Sequence, residues 1–350
     1  MNQSSQASEN RKYRTVPVSR SITRWCATAA IFAVTVTTLW GCGFAYVSMP
    51  LVPPLEPLEE RIITGSGTDK ILLLDISGVL SGRERKRGFL FPGTTIIEDI
   101  TASLVIAARD ENIRGIVLRI DSPGGTITAS DIIHHEIRRI KTERAPVVVA
   151  CLMDIATSGA YYVATAADRI IAHPTTITGS IGVMAVKFNV EALLTHIGVE
   201  NETVRSAEMK DLWSPFRHAT DAERNIMQHC IDEYHQRFIT TINNGRPRLT
   251  REDVTALADG RIFTARDALD AGLIDHIGYL DDAIGAVKDA LGIEEARVVM
   301  YYRPGSQGST IYSRAPVGRS SIVGNTLGHQ ICNGFYTGDD MRLLYLWLPH

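Results

Sequence analysis

Cysteine is scarce in this 350-residue chain: five residues, at 26, 42, 151, 230 and 332, with no C-x-x-C pair among them. An odd, scattered set excludes a disulfide framework or a zinc site, and neither a metal nor another cofactor is expected. A surplus of either charge is also missing. With 36 Lys and Arg against 39 Asp and Glu, the net charge is −3, which gives no electrostatic reason to expect nucleic acid as a partner. Lysine itself is rare, seven residues against 29 arginines. Internal repeats are absent too.

What is present begins with an uncharged stretch of 23 residues, Trp25–Val47. As a helix it would be roughly 34 Å long, enough for a hydrocarbon core of about 30 Å. Arg11, Lys12, Arg14, Arg20 and Arg24 precede it, against a lone Glu9. Basic flanks stay in the cytoplasm, so the sequence reads as a single-pass inner-membrane protein whose bulk lies outside, in the periplasm of a Gram-negative cell. A cleaved signal peptide normally has a shorter apolar region. Lipidation at Cys42 is a third reading, although Trp40 fits a lipobox poorly. The expected organisation is a basic tail (1–24), an anchor (25–47), a Pro-rich linker (48–68), a globular domain (69–300) and a Gly/Ser-rich extension (301–350) ending in a strand near Leu343–Trp347.

Short apolar runs at 71–77, 115–121, 146–152 and 169–173 read as buried strands, and helical patterns at about 96–109 and 127–142 separate them. That alternation gives an α/β fold with βαβ units and a mainly parallel sheet. A capping box, Thr220–Glu223, opens a long helix whose apolar stripe, from Ile226 to Ile242, reads as core or subunit contact. Shorter helices at about 264–271 and 281–291 end at Gly272 and Gly292.

Two glycine-containing turns carry the chemistry. Ser122-Pro-Gly-Gly125 follows one strand, and Ser158-Gly-Ala-Tyr-Tyr162 follows the next and opens a helix. Glycine lets backbone amides approach a ligand, and a serine at a strand-to-helix junction is a common place for a nucleophile. Taken singly, a plain turn and a buried helix-capping serine explain these residues equally well. Together they lie at the carboxyl ends of neighbouring strands, where open α/β sheets bind ligands.

With Thr178-Gly-Ser-Ile-Gly-Val183, Met209-Lys-Asp211, Asp259-Gly-Arg-Ile-Phe263 and Ala-Gly-Leu-Ile-Asp275, these motifs occur in an order that resembles bacterial signal peptide peptidase A, over about residues 69–292. The chain resembles the short form, with one catalytic region. The resemblance implies a Clp protease/crotonase-like fold, a bowl-like homo-oligomer and a Ser–Lys dyad acting on hydrophobic peptides such as signal peptide remnants. It makes Ser158 the nucleophile, Lys210 the general base, the Gly125 and Gly159 amides the oxyanion hole, and Ser180 the hydroxyl that orients the lysine. By subtype, the lysine comes from the same or a neighbouring subunit. Ala160 stands where many family members have a second glycine, which bears on substrate preference. Arg205 stands where related chains often carry lysine.

Arginine cannot act as a base at ordinary pH, so the scarcity of lysine narrows the field. Lys187 is the rival downstream of Ser158, and Lys288 lies in a charged helix. Only about one free lysine in a thousand is neutral near pH 7.5, so the base requires a shift of roughly 3 units from an apolar site. Met209 and Trp213 are near enough in sequence to desolvate Lys210, and Glu208 and Asp211 must then point away. A Ser-His-Asp triad through His173 is the competing mechanism. His134 and His135 read as helix surface. The remaining rivals are an NfeD-like membrane protease with other substrates, a crotonase-type acyl-CoA enzyme and an inactive membrane scaffold.

Overall fold

The apolar runs form strands that are buried on both faces. Along Lys70–Ser77, Leu72, Leu74 and Ile76 enter one hydrophobic cluster while Ile71 and Leu73 enter another. Alternate residues point to opposite faces, so a strand covered on both sides must be apolar throughout. The structure, a computed structural model, describes residues 57–84, 93–303, 311–312 and 343–347. The basic tail, the stretch 25–47 and Cys42 lie outside them. No helix among the described residues is long and apolar enough to cross a membrane.

In chain order the strands are β1 (Glu59–Thr64), β2 (Lys70–Ser77), β3 (Ile113–Ser122), β4 (Gly124–Thr126), β5 (Val147–Thr157), β6 (Arg169–Ala172), β7 (Ile177–Gly179), β8 (Met184–Ala185), β9 (Ile262–Thr264), β10 (His276–Ile277), β11 (Arg297–Tyr302) and β12 (Leu343–Leu346). The helices are α1 (Ile96–Arg109), α2 (Ile127–Arg144), α3 (Gly159–Ala164), α4 (Glu191–His196), α5 (Asp221–Gly245), α6 (Arg251–Leu257), α7 (Ala265–Asp270) and α8 (Leu280–Leu291), with a 3₁₀ turn at Glu208–Asp211. The larger sheet runs β1-β11-β2-β3-β5-β6-β10, with β7 beside the distal half of β5 and β9 beside β7. From β11 to β10 along this path every pairing is parallel; β1 and β9 are antiparallel to their neighbours. The expected α/β class with βαβ crossovers is what forms. Helices α1 and α2 cover one face, and α8 packs on the other through Leu280, Ala283, Ile284 and Val287.

β1 falls inside the stretch read as linker and pairs with β11. The apolar stripe of α5 divides in two. Phe238, Ile239 and Ile242 are fully buried, whereas Ile226 and Tyr234 are exposed by about two-fifths.

β3 and β5 are neighbours, and β4 and α3 begin at their carboxyl ends. A second, three-stranded sheet forms above that junction. It is antiparallel and runs β4-β12-β8, so the distal strand β12 lies between the first glycine turn and the segment after Gly182.

Candidate active site

Ser158 sits between the last residue of β5 and the first of α3, with φ 54° and ψ −118°. This is a conformation that L-residues seldom adopt, and it is held from both sides. The Ser158 amide donates to the Gly179 carbonyl (2.7 Å), and its carbonyl accepts from the Tyr162 amide (2.9 Å). The side chain makes no helix-capping bond. A capping serine is therefore not what this residue is. Its Oγ is buried and has no hydrogen-bond partner among the described residues. An orphaned buried hydroxyl in a strained turn marks a site built for a task other than stability.

The turn Ser122–Gly125 lies against it. Ser122 Oγ accepts from the Gly124 amide (3.0 Å) and holds the turn. Gly124 has φ +97°, and a methyl group there would come within 2.8 Å of the Gly159 nitrogen. Only glycine allows these two backbones to approach so closely. At Gly125 a methyl would collide with the Leu80 carbonyl, and at Gly159 with Ser130 Oγ. The two glycine motifs thus converge on one spot beside Ser158.

Ser180 belongs to the same junction. It has φ 50°, is buried, and donates its amide to the Arg261 carbonyl (2.7 Å). Its predecessor Gly179 is the residue that anchors Ser158. The Asp259-Gly-Arg-Ile-Phe263 motif builds this turn through β9, and the Phe263 ring fills the space a side chain at Gly179 would need. Asp275 of the Ala-Gly-Leu-Ile-Asp275 motif is structural: its carboxylate accepts from the Ile170 amide and from Arg246.

Lys210 lies elsewhere. It is exposed on the 3₁₀ turn, and no group among the described residues bonds to Ser158 Oγ, so one chain by itself does not close a Ser–Lys pair. Asp211 is committed to Arg205 and Arg217, which hold its carboxyl well below the usual range. The rival Lys187 donates to the Arg217 carbonyl (2.9 Å) and stands 5.5 Å from the centre of the Trp213 ring; burial lowers its pKa. Trp213 accordingly shields Lys187. His173 is part-buried, bonds to Thr175 and packs edge-on against Tyr279. His134 is more than helix surface, because its ring packs edge-on against Tyr162 and burial pushes its pKa down to about 4.

Sequence reasoning missed the role of β12. Leu344 stands opposite Thr126, Tyr345 opposite Gly125 and Leu346 opposite Gly124. The signal was present in the apolar run 343–347, but a run does not name its partner.

The model of Peptidase family S49 matches residues 139–294, and that of Clp protease matches 93–178. A protein of Enterococcus faecium that carries the name of a signal peptide peptidase, SppA, is 32% identical over 246 residues, 70% of this chain and 71% of that one. Serine protease SPPA of the Arabidopsis thaliana chloroplast is 33% identical over 75% of this chain, and Protease 4 of Salmonella typhi is 35% identical over 58%. Those two are longer proteins, of which the match covers 38% and 32%. The S49 match contains Ser158, Ser180 and Lys210, and the Clp match contains both glycine turns. Matches of this extent, on a chain whose buried unpartnered serine lies between those turns, show that it belongs to peptidase family S49, the SppA-like serine proteases.

Proposed function

We propose that this serine protease is a membrane-anchored endopeptidase that cleaves extended hydrophobic peptides with a Ser–Lys dyad. Ser158 attacks the scissile carbonyl, Lys210 accepts its proton, and the Gly125 and Gly159 amides stabilise the oxyanion. Ser180 orients the lysine. The observation that carries this reading is the Ser158 hydroxyl itself, buried, unpartnered and held at positive φ between two glycine turns. Residues 25–47 serve as the anchor, which keeps the site near membrane-held substrates such as signal peptide remnants; no cofactor takes part.

The exposed position of Lys210 favours a dyad completed by a second copy of the chain. Leu193, Ile197, Val199, Val204 and Met209 precede it and are all exposed, Val204 by 98%. Such a concentration of exposed apolar side chains marks an association surface. Burying it in a homo-oligomer would also desolvate the amine, as general-base chemistry demands.

Hydrolysis of a hydrophobic peptide by the full chain in detergent tests the assignment. Ser158→Ala and Lys210→Ala should each abolish it with folding intact. Co-refolding the two inactive chains should then restore about a quarter of the sites if base and nucleophile come from different copies, since each competent site needs one chain of each kind. Activity surviving Ser158→Ala would remove the nucleophile. Full activity of Lys210→Ala would move the base to Lys187 or His173.

A further inference from the structure

We propose that Arg217 is the positioning residue of the general base: its guanidinium ties the turn that carries Lys210 to the first turn of α5. The inference rests on the assignment of Lys210 as that base.

The turn has little to hold itself. Glu208–Asp211 is a single 3₁₀ turn without a buried residue, and such turns have poor hydrogen-bond geometry of their own. Met209, on one side of Lys210, is exposed. Asp211, on the other side, is where the turn is held. Arg217 Nε donates to Asp211 Oδ2 and Nη2 to Oδ1, both at 2.8 Å, and Nη2 also reaches the Asp211 carbonyl at 3.3 Å. The guanidinium grips Glu223 as well: Nη1 lies 2.9 Å from Oε2, and Nη2 donates to Oε1. Glu223 is a fixed point. It is 1% exposed, and its Oε2 accepts from the Thr220 amide (2.8 Å) in the capping box of α5. A continuous path of charge-assisted bonds thus runs from α5 through Glu223 and Arg217 to Asp211, the neighbour of Lys210. Arg205 pairs with Asp211 too, but residues 201–210 are all exposed, so that pair only joins two parts of one exposed segment.

Shape makes arginine the residue for this place. A guanidinium is planar and offers five N–H donors in a fixed fork, whereas an ammonium is a point charge with three rotatable donors. Here two carboxylates each take two of its bonds, and Nη1 donates in addition to the His218 carbonyl (3.0 Å). The backbone of Arg217 is fastened as well. Lys187 Nζ donates to its carbonyl (2.9 Å), and the Val190 amide donates to the Pro215 carbonyl (2.9 Å). Lys187 thus has a task in the same bracing. A base must meet the serine hydroxyl in register, and a misplacement of about 1 Å can cost roughly 100-fold in rate. A turn braced to the fold through Arg217 makes that register depend on one side chain.

Hydrolysis of the hydrophobic peptide by the full chain in detergent tests this, with Arg217→Lys, Arg217→Ala, Asp211→Ala and Lys210→Ala beside the parent. Arg217→Lys keeps the charge and loses the double fork, so kcat should fall roughly 100-fold with KM within about twofold. Asp211→Ala cuts the path on the Lys210 side and leaves Glu223 paired. It should show the same loss of kcat even if the Arg217 variants prove unstable. Guanidinium at about 20 mM, well below denaturing concentrations, should raise kcat of Arg217→Ala at least about tenfold, and ammonium at equal ionic strength should not. A residue that merely stabilised the fold would shift the unfolding transition and leave kcat per folded chain unchanged. Parental kcat in Arg217→Lys and Asp211→Ala, beside an inactive Lys210→Ala, would overturn the proposal and leave the base assigned. Equal effects of guanidinium and ammonium on Arg217→Ala would overturn it too. Full activity of Lys210→Ala would defeat the base and the proposal together.

Discussion

At the scale of single residues, Ser158 shows how the site holds conformational energy. A residue at φ 54°, ψ −118° is destabilised by roughly 1–3 kcal/mol relative to a relaxed backbone. The strain persists because the Gly179 carbonyl, the Tyr162 amide and complete burial fix the residue from three sides. Ser158→Gly should therefore raise stability by about 1 kcal/mol, after allowing for the greater freedom of glycine in the unfolded chain, while abolishing hydrolysis. A denaturant midpoint that falls instead would show that the backbone is not strained there. Ala145, at φ 50° in the left-handed cap of α2, is the comparison. Ala145→Gly should also stabilise, by about 0.5 kcal/mol, but leave activity unchanged, because that cap is remote from the chemistry.

Elements were unevenly legible. The strands at 71–77 and 115–121, and α1, α2 and α5 with their caps, carry strong periodicity or capping boxes, and they form where the pattern places them. β4, β7, β8, β9 and β10 have two or three residues each, too few for any period to register. They are nonetheless the elements that shape the site: β7 brings the Gly179 carbonyl to Ser158, and β9 supports Ser180. The serine and the glycines that meet at this junction could be named from the sequence. The positive φ of Ser158, the exposure of Lys210 and the partners of β12 could not, because each depends on segments distant along the chain.

Two packing relations between elements predict pH behaviour and tolerance. His134 of α2 packs on Tyr162 of α3, with burial lowering its pKa from an ordinary 6.5 to about 4. The unfolded chain then binds a proton that the folded chain refuses, so stability is complete above pH 6.5 and falls as the pH drops towards 4. The loss should be of the order of 2 kcal/mol, and His134→Phe should remove that part of the pH dependence, measured by denaturant unfolding at pH 7 and pH 4.5. Arg246, at the end of α5, pairs with Asp275 just before β10. Burial alone would raise the carboxyl pKa of Asp275, but Arg246 and the Ile170 amide outweigh it and hold it low. Arg246→Ala leaves a half-buried carboxylate without its cation and should destabilise by about 3 kcal/mol, whereas Asp275→Asn in the same background should recover part of the loss.

At the scale of the whole molecule, Ser158 is buried and Lys210 exposed in one chain, and the exposed apolar residues before Lys210 offer the means for a second copy to join them. If a second copy covers that surface, assembly and catalysis must fail together. Val204 is the sharpest probe, because at 98% exposure its side chain supports nothing within its own chain. Val204→Asp should leave the thermal unfolding transition within about 0.5 kcal/mol of the parent, since exposed substitutions seldom cost more. Placed in an apolar interface, however, an unpaired carboxylate is strongly disfavoured, so the variant should run as smaller species by light scattering and lose peptide hydrolysis in proportion. Raising its concentration should restore both, whereas a chain acting alone would keep a constant turnover per molecule at every dilution. A monomeric and fully active Val204→Asp would place Lys210, or another base, within reach of its own Ser158 and require residues 186–216 to rearrange over the junction where β12 pairs with β4.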